Sequence, residues 1–207
     1  LAEQKINRKH SSVNADTNNI LFGFFKFATT KEKRFDIGLP FAISAIIFVS
    51  AYFLIRSNQN LLDIVKDLNS VSLSIMSILA GFNTTSLAVI ASTQQKTLFR
   101  LFEKNGQKND KNILEQLLTF FSYSIIIQLI LIILGSLLLV MLKYASDLYK
   151  NLSFVNYFSS HIILSVVGLI WLGLVLHTLF ISIRNVTILY HYVVFIGSEK
   201  EQDDESE

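Results

Sequence analysis

The chain contains no cysteine, and only one proline, one tryptophan and eight glycines among its 207 residues. Without cysteine there is no disulfide framework, no thiolate metal site and no cysteine nucleophile. With a single proline, long stretches are free to run as uninterrupted helix. The scarcity with the largest consequence is one of charge. Four windows, 37–55, 68–95, 116–142 and 151–183, hold no Asp, Glu, Lys or Arg and together cover more than half the chain. A bilayer core ~30 Å thick is crossed by about 20 apolar residues of helix. Backbone groups in lipid must be satisfied within the segment, so helix is the expected conformation. The ten-residue alternation of a transmembrane barrel is missing. The reading is therefore an all-α polytopic membrane protein with four transmembrane helices and helical extensions beyond the bilayer.

Other absences narrow the chemistry. Spans free of Asp, Glu, Lys and Arg argue against a coupled pump or secondary transporter. Paired helices interrupted by Gly and Pro, which mark many transporter sites, are not evident. There is no phosphate-binding glycine loop, no HExxH and no G-x-S-x-G, and His10, His161, His177 and His191 lack metal-ligand spacing. The expectation is a non-enzyme with no cofactor and no metal.

What charge there is sets the orientation. Lys5, Arg8, Lys9, Lys26, Lys31, Lys33 and Arg34 precede the first span; Lys96, Arg100, Lys104, Lys108 and Lys111 fall between spans two and three; Arg184 and Lys200 follow span four. The other two connections carry only Arg56, Lys66, Lys143 and Lys150. With both termini inside, fourteen basic residues are cytoplasmic and four external, and Lys/Arg bias is what orients such chains. This places the protein in the cytoplasmic membrane, N-in and C-in, with span one as an uncleaved signal anchor.

Three regions follow. Residues 1–36 form a cytoplasmic N-terminal segment, loosely structured over 1–19, with an aromatic stretch at 20–27 suited to the membrane interface. Residues 37–183 form the four-helix transmembrane domain. Residues 184–207 comprise a helix extension to about Gly197 and an acidic tail without structure. Helix two is expected to begin near residue 60, helix three to run from about Asn112 to Tyr149, and Asn105-Gly106 to form a turn. Phe154, Tyr157 and Phe158 make an outer aromatic belt.

Span two is the least apolar. Ser70, Ser74, Ser77, Gly81, Thr84, Ala88 and Ser92 recur at three- and four-residue steps on one helical face, with Asn83 and Ser86 opposite. Such a stripe suits close helix packing in an oligomer, or a pore lining once subunits form a ring. Asn83 and Gln128 sit near the middle of spans two and three, where a lone polar side chain is costly, so a mutual hydrogen bond is expected. His177 is expected to be neutral and hydrogen-bonded. Gly168 and Gly173 are expected to permit close packing.

Lys96, Arg100, Lys104, Lys108 and Lys111 alternate with Phe99, Leu101 and Phe102 and fit anionic headgroups or a partner protein. Arg184, Asn185 and His191 make an R-N-x5-H pattern similar to the Arg–polar–His signature of HEPN ribonucleases, which implies a membrane-tethered nuclease as one alternative. The segment 77–86, S-I-L-A-G-F-N-T-T-S, together with the extended helices and charged ends, resembles in layout the small four-span membrane proteins of bacterial anti-phage systems. Among those are the membrane subunit of Kiwa systems and the membrane accessory proteins of type VI CRISPR systems. The resemblance implies a homo-oligomeric sensor or anchor for antiviral defence, recruiting a soluble effector through its basic cytoplasmic face, with nucleic acid reached only through that partner. The alternative is an oligomeric pore former lined by helix two.

Overall fold

The computed structural model describes residues 13–92, 110–151 and 157–204. They form α1 (Val13–Phe27), α2 (Thr30–Lys33), a π-helical turn (Arg34–Gly38), α3 (Leu39–Leu54), α4 (Asn58–Ser92), α5 (Asp110–Asn151) and α6 (Tyr157–Asp204). No strand occurs among the described residues. Four helices are long and apolar enough to cross a membrane: Thr30–Leu54, Asn58–Ser92, Leu117–Tyr144 and His161–His191, of 25, 35, 28 and 31 residues. At 1.5 Å per residue even the shortest spans more than ~30 Å. Among the described residues these four candidate spans are compatible with a multi-pass membrane protein.

Local chemistry sets the entry to the first long helix. Thr29 and Glu32 form a reciprocal capping box, with Thr29 N–H donating to Glu32 Oε2 at 2.6 Å and Glu32 N–H donating to Thr29 Oγ1 at 3.3 Å. This satisfies two of the donors that a helix start leaves open. The helix then passes through the π turn, whose wider winding carries Asp36 to the interior. Pro40 lies in the first turn of α3, where its missing N–H is tolerated.

α3 packs chiefly on α6, and α4 on α5 and α6. The buried face of α4 reads Leu61, Val65, Asn69, Ser72, Met76, Ala80, Asn83, Ser86 and Ile90. Apolar clusters lie along the whole bundle. Phe48, Leu61, Leu62, Val65 and Leu142 fill one end; Met76, Leu131, Trp171 and Val175 fill the middle; Phe24, Phe120, Tyr123 and Ile181, beside Ile90, Leu117 and Phe121, fill the other.

Two close approaches depend on glycine. A Cβ at Gly173 would lie 2.7 Å from the Phe41 ring, and one at Gly168 would overlap the ring of the buried Phe48. Both are the packing role expected for these glycines. Overfilling such a contact costs about 2 kcal/mol. Gly168→Ala is therefore expected to lower the melting temperature of the detergent-solubilised protein, and Gly168→Ala with Phe48→Leu to regain most of the loss. An unchanged melting temperature in the single variant would show that α3 and α6 do not meet there.

The helix ends differ from expectation in two places. α1 begins at Val13, inside the stretch expected to be loose, because Phe24 and its neighbours anchor this helix against α5 and α6. α6 continues past Gly197 to Asp204. Glu, Lys and Gln are good helix formers, and extending an existing helix needs no new nucleus. Lys96, Arg100, Lys104 and Lys108, with Phe99, Phe102, the Asn105-Gly106 turn and Phe154, lie outside the described residues; Lys111, Tyr157 and Phe158 fall on helices, but their side chains lie outside the description.

Candidate functional site

The interior of the bundle is polar at three levels. The first lies where α3 begins and α6 passes its midpoint. Asp36 is fully buried and paired with Arg184 Nη1 through Oδ2. The Arg184 side chain is 14% exposed, so solvent screens this pair little, and losing either member would leave an uncompensated buried charge. The guanidinium lies 4.3 Å from the Phe120 ring centroid and 5.3 Å from that of Phe24. Ring faces thus supply part of the stabilisation that water would give. Phe24 also stacks on Tyr123 at 4.2 Å and meets His177 edge-on. The fully buried Phe24 makes α1 a cover over the ion pair.

His177 belongs to the same cluster. Its Nδ1 lies 2.5 Å from the Asp36 carbonyl oxygen, which only accepts, so Nδ1 carries the proton. Nε2 is then free to accept from the Tyr123 hydroxyl at 3.1 Å. A neutral Nδ1–H tautomer satisfies both contacts, as expected for this histidine.

The second level is centred on Asn83. Its Nδ2 donates toward Ser124 Oγ at 3.0 Å, Gln128 Oε1 at 3.1 Å and Ser182 Oγ at 3.2 Å, while Oδ1 receives Asn185 Nδ2 at 3.4 Å. Gln128 Nε2 donates to Ser182 Oγ at 2.9 Å. The expected Asn83–Gln128 bond is present, within a knot joining α4, α5 and α6. Alone of the knot's amide groups, Asn185 Oδ1 is buried without a partner among the described residues; the bonds the others make are what keep amides tolerable in an apolar interior.

The third level lies toward the opposite end. Asn69 Nδ2 donates to the Gly135 carbonyl at 2.8 Å and Ser44 Oγ to the Leu169 carbonyl at 2.6 Å. His161 Nδ1 lies 2.7 Å from Asn58 Oδ1. These contacts tie α4 to α5, α3 to α6 and α4 to α6.

The Ser/Thr/Gly stripe is turned the other way. Ser70, Ser74, Ser77, Gly81, Thr84, Ala88 and Ser92 are all exposed on the outer surface of α4. Four of its hydroxyls return to their own helix: Ser77 to the Leu73 carbonyl at 2.8 Å, Thr84 to Ala80 at 2.7 Å, Ser74 to Ser70 at 3.4 Å and Ser92 to Val89 at 2.8 Å. A Cβ at Gly81 would meet nothing within 4 Å. This face is small, smooth and has no partner within the described chain.

Two expectations need correction. The interior is not free of ionised side chains, because Asp36 and Arg184 lie one residue beyond the first and fourth charge-free windows and meet in the bundle. The windows hid them by ending where the charges begin. Nor do Arg184 and His191 form one site in this chain. Arg184 and Asn185 turn inward, to Asp36 and Asn83, while His191 is exposed. Seven-residue spacing put Arg184 and His191 on one helix face, yet only Arg184 lies under α1. Sequence reasoning also missed Asp36 and Phe24 as interior partners, and read Asn185 only as part of the R-N-x5-H pattern. One signal for the ion pair was present: in the N-in, C-in arrangement Asp36 and Arg184 stand at the same end of their spans.

No group of three or more His, Cys, Asp or Glu side chains that would hold a metal occurs among the described residues. Comparison of the chain with family models, curated proteins and solved structures returned no match.

Proposed function

We propose that this chain is a multi-pass subunit of a bacterial cytoplasmic membrane, both termini in the cytosol, that self-associates through the outer face of α4 and acts as a sensor or anchor for a soluble effector. The observation that carries the reading is the direction of the polar side chains. The large amides, the ion pair and His177 are spent inside the bundle on one another, which makes a stiff frame. The serines, threonines and glycine of α4 are left on the surface, where small residues let a second helix approach closely. The orientation rests on the basic residues, fourteen on one side and four on the other. The role in antiviral defence, and the effector docking on Lys96, Arg100, Lys104, Lys108 and Lys111, rest on the resemblance in layout and on the charge of that connection.

A pore is the second reading, favoured by the same outward hydroxyls, which would line a conduit if subunits closed into a ring. Two measurements separate the readings. In detergent, the protein component should exceed the 23.5 kDa of one chain, and Ser77→Leu with Gly81→Leu should weaken association at least tenfold. A wild-type mass of one chain would remove both readings. Dye-loaded liposomes holding the oligomer should remain tight if it is an anchor and should leak if it is a pore.

A further inference from the structure

At the end of the bundle away from Asp36, α4 and α5 frame a cleft of about 230 Å3 lined by Lys66, Ser70, Leu139 and Lys143. The four residues are two i, i+4 pairs, one on each helix, so each pair shares a face. The helices run in opposite directions. Lys66 precedes Ser70 on α4 and Lys143 follows Leu139 on α5, which sets both ammonium groups at the rim with the hydroxyl and the apolar side chain a turn deeper. Ser74 and Ser136 follow, exposed, their hydroxyls returned to the Ser70 and Ile132 carbonyls. The cleft thus changes from cationic at the rim to a hydroxyl and an apolar side chain a turn deeper, with small residues beyond.

Two lysines facing one cleft repel unless an anion lies between them. Lys143 makes no ion pair among the described residues, and Lys66 has only the exposed Asp63 at 3.8 Å on its own helix, a contact of little strength. In the proposed orientation these are two of the four basic residues on the external side, where Lys and Arg are scarce. We infer that this cleft is a binding site for a phosphodiester anion, and that its source is the headgroup of an anionic phospholipid in the external leaflet. The ammonium groups hold the phosphate, Ser70 donates to an ester or glycerol oxygen, and an acyl chain follows the small residues below. The inference rests on the membrane reading and goes beyond it: it shares Ser70 and Ser74 with the α4 stripe, adds Lys66, Leu139 and Lys143, and draws nothing from the cytoplasmic basic cluster.

The test is native mass spectrometry of the protein released from nanodiscs containing phosphatidylglycerol, phosphatidylcholine, or phosphatidylcholine with added inorganic phosphate. Near a membrane surface each lysine changes anionic lipid affinity by a factor of several, so Lys66→Gln with Lys143→Gln should reduce retained phosphatidylglycerol roughly 30-fold. Arg56→Gln, at an external basic residue outside the cleft, should leave retention unchanged. Equal retention of phosphatidylglycerol and phosphatidylcholine by the wild type, or full retention by the double variant, overturns the site. Lysine-dependent capture of inorganic phosphate without lipid preference overturns the lipid source. Entry of the wild type into nanodiscs is scored first, so a failed membrane reading is distinguished from a failed lipid site.

Discussion

Replacing Asp36 with Asn is expected to destabilise the bundle by about 3–5 kcal/mol, the usual cost of stranding one member of a buried ion pair. The substitution keeps the shape and removes the charge. It leaves the Arg184 guanidinium among Phe24, Phe120 and the start of α3 with no counter-ion and little access to water. Attraction to the two ring faces is worth about 2 kcal/mol or more per contact in a desolvated setting, but it does not neutralise the charge as the carboxylate does. Arg184→Met is expected to be as damaging, since Asp36 is fully buried. Asp36→Asn with Arg184→Met should recover most of the loss, because an uncharged pair avoids the penalty of burying charge. Thermal unfolding in detergent, followed by loss of the monodisperse peak, measures all three. Additive losses in the double variant would show that the two residues are not coupled.

The second large effect is expected at Asn83. Leu has the branching of Asn and is somewhat larger, so Asn83→Leu fills the same space and removes the knot. Gln128 Oε1 and Asn185 Nδ2 lose their Asn83 partner, while the Ser124 and Ser182 hydroxyls can still reach a carbonyl of their own helix. Two stranded amide groups cost about 3 kcal/mol, less where neighbouring side chains rotate to meet them. Asn83→Leu with Gln128→Leu should be more stable than Asn83→Leu alone, since the second change removes one stranded group. If Asn83→Leu melts with the wild type, the knot is incidental to the fold.

The helices and their apolar character were legible because lipid solvation demands long charge-free windows. The Asn83–Gln128 bond was legible for the same reason, as two midplane amides on adjacent antiparallel helices have few other partners. Asp36 and Arg184 were not, because each looked like an ordinary charge flanking a span, and 148 residues separate them. The π turn that swings Asp36 inward has no clear mark in the sequence beyond R-F-D-I-G. The α4 stripe could be read as a stripe, but not as facing outward. Ser70–Ser92 and Asn69–Ile90 are both periodic faces of one helix, and only the packing of α5 and α6 against the second decides between them.

The absence of cysteine gives the most direct test of the central claim, since any introduced thiol is unique in the chain. Ser77→Cys on the outer face of α4 and Val140→Cys on the exposed face of α5 are expressed separately in native membranes and treated with a short bismaleimide crosslinker. The expected result is a crosslinked dimer for Ser77→Cys and a monomer for Val140→Cys. Crosslinking at Val140 with none at Ser77 would contradict self-association through α4, and recovery of the protein in the soluble fraction would contradict the membrane reading itself.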